Sequence, residues 1–477
     1  MKKVWEVMFI IGVVMISLCG CGSESEVDDE ESAKIQEEQS KEADTRYQRE
    51  KRYHEDGREI LVYTVFEYGP MQKSLVNSFN AENEDYYIEV QNMQEGNEND
   101  PMKAYEDFDL TLVNGMAGDI LQVNSLYYTK YIRQGAYEDL KPYMEADEEF
   151  DRADYWENVF LACETDGKLF YVPASFDVQA YVGKSSIWEG HENMTAEEAV
   201  ELFNNLPEGV ELLFRMTRKD YVSNIINTSI DNFVDWESGE CNFESEQFKN
   251  VLRVAKNLPD EYISDGKQVS MEVKYGNGEV LLAELSAMDY RELQVIKMCM
   301  QEEPVVVNYP GATQKGNVLL FLDGHTYAIN SDSLGKDGAW EFIKFALSKE
   351  QQIAMDEGSF ASGIWMVPMN KGAFQKQMEK WQTPIWELNE HNEKIERPIK
   401  CFISEDIVLD IYHATDEDVA FWTDIIENIT TVKENNYVLT NIIMEEAGPY
   451  FSGQKSVDEV AKIIQGRISI YVNENKE

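Results

Sequence analysis

The chain has 477 residues, with 42 Lys and Arg against 90 Asp and Glu, a formal net charge of −48. That balance excludes a nucleic-acid surface, which needs clustered cations, and a basic face for anionic lipid. Apolar residues at 43% and aromatics at 12% suffice for a large core, so wholesale disorder is excluded and the length predicts two or three structural units.

Met1-Lys2-Lys3 is a short positive start, followed by an apolar run from Val7 to Leu18. This run is far shorter than the roughly 20 residues of a spanning helix and has the length of a signal-peptide core. It ends in Leu18-Cys19-Gly20-Cys21, which resembles a bacterial lipobox. The resemblance implies that residues 1–20 are removed and that Cys21 becomes the lipidated N-terminus; an ordinary cleaved leader is the competing reading. Cys19 does not fit, because the residue before it, Leu18, is too large. Residues 22–57 hold 13 acids and 6 bases and almost nothing apolar. Segment 21–57 therefore reads as an acidic disordered tether. No later run approaches 18 apolar residues, so no second membrane anchor is expected.

The body begins near residue 58. Ile60 to Phe66 is a β-rich run, and Pro70 opens a helix with Met71, Leu75 and Phe79 on its apolar side. Tyr86 to Val90 predicts a second strand and Phe108 to Val113 a third, ending at Asn114-Gly115. Strands alternating with helices imply a mostly parallel sheet, whose ligands bind at the carboxyl ends of the strands. Asp166-Gly167 turns into an apolar run that Pro173 interrupts, and Tyr181 to Lys184 follows. Gly316 to Leu322 and Thr326 to Asn330 are strand-like and lead into a helix over 338–347. From about 416 the pattern is helical, with Trp422, Ile425, Ile426 and Ile429 on one stripe. Ser456 and Glu459 make a capping box before the stripe Val457, Val460, Ile464, Ile468 and Tyr471. Segment 372–415 is polar and fits no pattern. Cys163, Cys241, Cys299 and Cys401 contain no C-x-x-C pair, so no metal or redox site is expected; two disulfides and free thiols both remain open.

Four local patterns, in this order along the chain, carry a family resemblance: Asp166 to Pro173 followed by Tyr181 to Ser186, Asp235 to Phe243, Ala339 to Phe345 with Ser348 to Gln352, and Tyr450 to Ala461. Over about 58–473 the chain resembles an extracellular solute-binding protein of a bacterial ABC importer, in the sugar-binding family that includes maltose-binding protein. The resemblance implies an α/β fold of two lobes, of the type II-like periplasmic-binding-protein class. Its ligand cleft would lie between lobes joined by three crossings, near Pro173–Phe176, Leu320–Thr326 and Gly363–Val367. Lobe one would hold 58–173 and 326–366, and lobe two 174–325 and 367–473. It also implies membrane permeases as partners, a monomer, no cofactor, and a lipid-anchored position on the extracytoplasmic face of the cell membrane.

Sugars present apolar C–H faces and many hydroxyls, so aromatic rings beside carboxylates or amides suit them. At the cleft edges the resemblance implies, the candidates are Phe66, Glu67, Tyr68, Asn114, Phe176, Asp177, Asp289, Tyr290 and Trp365. Trp422 lies on an apolar stripe and is assigned to the core, and Trp236 sits in a turn-rich segment and is assigned a structural role. No H-E-x-x-H, G-x-S-x-G or G-x-x-x-x-G-K-[ST] is present, so zincin, hydrolase and P-loop chemistry have no support and no catalytic or metal residue is assigned. The expectation is a non-enzymatic, lipid-anchored binder that captures a carbohydrate by hinge closure. Its alternatives are a glycoside-acting enzyme, a binder of a cationic solute such as a polyamine, and a surface adhesion or sensor module.

Overall fold

β-Branched and aromatic residues in short runs set the strands, and their pairing sorts them into two main sheets. In chain order the first six strands are β1 (Arg52–Tyr53), β2 (Glu59–Val65), β3 (Tyr86–Asn92), β4 (Ile120–Gln122), β5 (Val172–Pro173) and β6 (Ser175–Lys184). Then come β7 (Leu282–Leu285), β8 (Pro304–Val307), β9 (Asn317–Phe321), β10 (Thr326–Ile329) and β11 (Val367–Pro368). The last are β12 (Trp386–Leu388), β13 (Lys394–Glu396), β14 (Ile399–Phe402), β15 (Val408–Ile411) and β16 (Ile429–Val432). The computed structural model describes residues 50–475 apart from 67, 98, 99, 263–269, 286–288, 314, 322, 323, 363–365 and 405, and no side chain at 101 or 357–362.

Lobe one is built on the sheet β1-β2-β4-β10-β5, with β3 on the other side of β2. β3 and β4 run parallel to β2, while β10 is antiparallel to β4. Lobe two is built on β11-β6-β9-β16, with β7 and β8 also pairing β6. β6 enters this sheet one residue after β5 leaves the other. The chain crosses between sheets three times, after β5, after β9 and before β11, and the three crossings bind one another. Ala174 N–H donates to His325 O at 2.7 Å, and Met369 N–H donates to Ala174 O at 2.9 Å. Ser175 Oγ lies 2.9 Å from His325 Nδ1 and 3.5 Å from Met366 Sδ. His325 is 2% exposed, and burial pulls its pKa down to about 4, so the ring is neutral at neutral pH.

Several expected elements hold. The helix Pro70–Glu82 starts with its proline in the first turn. Asp166 and Gly167 turn with φ of 51° and 74°, the pair of left-handed residues that a tight hairpin turn demands. Ser456 and Glu459 exchange capping hydrogen bonds ahead of helix Val457–Asn475.

Other expectations need correction. Residues 108–113 are not a strand but the end of helix Pro101–Val113. Ala104 and Phe108, four apart, are buried, while Leu110 and Val113 are 60% and 77% exposed, which is a helical and not a two-residue period. The third parallel strand is β4 instead. Ile429 is not on a helical stripe: helix Asp416–Glu427 ends first and Ile429 begins β16, which pairs parallel with β9. Residues 52–53, expected in the tether, form the edge strand β1 against β2. Segment 372–415 resolves into most of helix Lys371–Trp381 and the hairpins β12/β13 and β14/β15. All four of Cys163, Cys241, Cys299 and Cys401 are free thiols.

Candidate functional site

The long strand β6 presents alternate residues to opposite faces. Phe176, Val178 and Ala180 go into the core at 0–1% exposure. Asp177, Gln179 and Tyr181 take the other face. Tyr181 pairs with Glu284 of β7, which puts that carboxylate on the same face. Lys433 follows β16, where its N–H donates to Leu319 O of β9 at 2.9 Å. Helix Arg218–Ser229, started by a capping box between Thr217 and Asp220, brings Asn224 and Asn227 over this face. The result is a basin of about 370 Å³ at the carboxyl edge of the lobe-two sheet, with Tyr181, Phe214 and Tyr309 among its walls.

The floor is a three-residue relay. Gln179 is 5% exposed. Its Nε2 donates to Glu284 Oε1, and its Oε1 accepts from Lys433 Nζ at 3.3 Å. One amide thus separates a buried-side carboxylate from an ammonium and satisfies both. Burial lowers the pKa of Lys433, with Glu284 opposing the shift. Outside the lining of the basin, three carboxyls are pushed up to about 7. Asp177 is raised by burial and then by Glu284, against a 2.7 Å hydrogen bond from Val178 N–H. Glu292 is raised by burial and by Asp289, Asp177 and Glu284. Glu434 is raised by burial and Asp231, with its hydrogen bond from Asn436 and the charge of Arg133 opposing.

The end of β2 in lobe one is aromatic. Phe66 packs on Phe108 and Tyr105 with ring centroids 4.6 and 4.9 Å apart, and Tyr105 meets Tyr127 at 5.5 Å. Asn124 Nδ2 donates to Tyr105 Oη at 3.0 Å.

Of the sequence candidates, Asp177 shares the face of β6 that carries Gln179 and Tyr181 but does not line the basin. Phe66 is 8% exposed and Phe176 0%, so both are core. Tyr68 is half-buried with Lys73 Nζ 5.5 Å from its ring centroid. Asn114 is exposed at the C-cap of helix Pro101–Val113, and the strand it was expected to follow is part of that helix. Asp289 caps helix Tyr290–Met300 by accepting from Arg291 N–H, and pairs with that guanidinium at 2.5 Å. Tyr290 is 7% exposed and packs on Trp381 at 5.2 Å. Glu67, Trp365 and Cys21 lie outside the described residues. Trp422 is in the core at 1% exposure. Sequence reading missed Gln179, Glu284, Lys433 and Asn227. Gln179 carried a signal: it is two residues from Asp177 on the same crossing strand and shares its face.

Two α/β lobes joined by three crossings, with a polar basin at the edge of one sheet and aromatic rings at the edge of the other, define a two-lobe binding protein. A family model for bacterial extracellular solute-binding proteins matches residues 74–386, and the chain belongs to that family. Its members bind solutes outside the cytoplasm. Among solved structures, the sugar-binding protein MalE of Xanthomonas citri matches with a TM-score of 0.54 at 14% identity, over 87% of this chain and 98% of that one. A periplasmic oligogalacturonide binding protein of Yersinia enterocolitica gives 0.55 at 13%, over 88% and 100%. A cyclic alpha-maltosyl-1,6-maltose binding protein of Arthrobacter globiformis gives 0.51 at 13%, over 88% and 100%. At such identities the likeness is one of fold. No curated protein matches the chain.

Proposed function

We propose that the protein is the cargo-capturing subunit of an ABC importer, held to the outer face of the cell membrane by an acyl group on Cys21, and that its cargo is a carbohydrate it does not alter. The observation that carries the cargo class is the floor of the basin. Gln179, Glu284 and Lys433 supply donors and acceptors side by side, and Tyr181, Phe214 and Tyr309 supply ring surface beside them. Hydroxyls with apolar C–H faces match that mixture better than a purely apolar or singly charged ligand does. The family, and the description of each of the three solved relatives as a binder of sugar or oligosaccharide, support the reading. The carboxyls Asp177, Glu284 and Glu292, which act on one another, favour a second cargo, a cationic solute such as a polyamine. Permease subunits would receive the closed, loaded monomer.

A thermal-shift panel on the full chain carrying Cys21→Ser separates these readings. A matching oligosaccharide at 100 times its Kd adds about 2.7 kcal/mol to stability and raises the melting temperature. A shift with polyamines and none with any glycan rejects the sugar. Release of reducing ends from a bound glycan on long incubation rejects the non-enzymatic reading.

A further inference from the structure

Four charged side chains line the basin: Arg215, Lys433, Asp220 and Glu284. The two carboxylates already hold hydrogen bonds. Asp220 Oδ2 accepts from the Thr217 N–H at 3.0 Å and from its hydroxyl at 2.7 Å, and Glu284 Oε1 accepts from Gln179 Nε2. The two cations are kept apart from carboxylates. Lys433 is half-buried and donates only to the neutral amide oxygen of Gln179, at 3.3 Å. Glu284 acts on this ammonium, but the Gln179 amide bonds each of them and stands between them. Arg215 pairs with no carboxylate among the described residues; its guanidinium carbon lies 4.6 Å from the ring centroids of both Phe214 and Tyr262. Its backbone is in the left-handed region, with φ of 59°, a costly conformation for a non-glycine residue. Glu211 fastens it there: one oxygen accepts from Arg215 N–H at 2.7 Å, and the other pairs with Lys274 at 2.8 Å. Lys274 in turn lies over the Phe214 ring at 5.2 Å. The loop thus holds a charged side chain at the basin without neutralising it.

From this asymmetry we infer that the basin takes an acidic glycan, whose sugar carboxylate is met by Lys433 and Arg215. The inference rests on the carbohydrate reading and narrows it. An ammonium drawn out of water and given one neutral acceptor is under-satisfied, with two of its three N–H donors left over. A ligand carboxylate supplies charge-assisted hydrogen bonds, roughly twice as strong as neutral ones, and a guanidinium fork matches its two oxygens. The charge of the ligand group is set by the rest of the lining. Two cations and two carboxylates cancel, so a doubly charged phosphate would face Asp220 and Glu284, whereas a single carboxylate meets the free cations alone. A polyamine would meet Lys433 and Arg215 and find both lining carboxylates already bonded. The rings of Tyr181, Phe214 and Tyr309 remain for the apolar faces of the sugar.

Thermal shift and calorimetric titration on the full chain with Cys21→Ser test it, using trimers of glucuronate, galacturonate and mannuronate, each beside its methyl ester. The ester keeps the rings and hydroxyls and removes the charge. At least one uronate trimer raises the melting temperature, and its ester binds about tenfold or more weakly. Lys433→Gln and Arg215→Gln each shrink that acid-over-ester ratio, and Lys433→Arg, which keeps the charge, retains it. The ratio is the readout because a misfolded fraction lowers both affinities alike and leaves it unchanged. A ratio that stays at the parent's value in both glutamine variants overturns the assignment to these two residues. An ester, or the neutral trimer maltotriose, bound as tightly as every uronate overturns the acidic cargo while leaving the carbohydrate reading in place. A shift with spermidine and with no glycan rejects that reading and this inference together, and no shift with any uronate overturns the inference by itself.

Discussion

The Phe66 end of the lobe-one sheet and the Gln179 face of the lobe-two sheet are built from opposite materials. Lobe one fills its edge with its own rings: Phe66, Tyr105, Phe108 and Tyr127 pack on one another in a chain of tilted contacts. Lobe two leaves its face polar, with the Gln179 relay on the floor of the basin and Asp220, Asn224 and Asn227 in its wall. The first edge gains stability from its own packing. The second keeps hydrogen-bonding groups partly desolvated, which costs stability and leaves them ready for a polar ligand. A two-lobe binder can thus divide labour, with one lobe giving shape and ring surface and the other giving chemical selectivity.

The largest test of that division is Phe66→Ala. Removing a buried ring from a packed cluster costs about 3–5 kcal/mol, seen as a lowered denaturant midpoint, while cargo affinity of the remaining folded protein stays within about twofold. An affinity loss that exceeds the stability loss would break the comparison, because it would make the lobe-one edge a recognition surface.

Asp177→Asn sharpens it from the other side. The folded carboxyl titrates at about 7, against 3.8 as its ordinary value. Between those values the folded chain keeps a proton that the unfolded chain has lost. Stability therefore falls as pH climbs from about 4 to 7 and is level above. The asparagine variant removes this slope and gains on the order of 2 kcal/mol at pH 8 relative to the parent, with no gain at pH 4. Melting temperatures measured across that range check it; parallel curves for the two proteins would place Asp177 in water.

The smallest effect is expected at Asp289→Ala. This carboxylate caps helix Tyr290–Met300, so its loss costs about 1 kcal/mol. Cargo affinity should not change in a titration of the same variant, since Asp289 is spent on Arg291. A pronounced affinity loss would extend the recognition surface to the start of that helix.

Much of the fold was legible in local pattern. Pro70 at a helix start removes an N–H that would have no partner, the Asp166-Gly167 turn needs only its own two residues, and the Ser456 capping box satisfies nearby N–H groups, so their signals are short-range. The site was less legible. Along β6 the sequence pointed to both Phe176 and Asp177, yet neighbours on a strand face opposite ways: Asp177 shares the face of Gln179 while Phe176 is sealed in the core. The misread strand at 108–113 moved Asn114 to a cleft edge it does not occupy, because a six-residue apolar run fits a strand and a helix equally until the helix's proline start is counted.

The sequence by itself determined the acidic body, the alternation of strands and helices, and the turns and caps that punctuate them, since each depends on residues within a few positions. Only the tertiary structure decided that Gln179, Glu284 and Lys433 share one floor. These partners are separated by roughly a hundred residues or more in the chain. Strand register, hinge crossing and burial bring them together, and none of those is written in the local pattern.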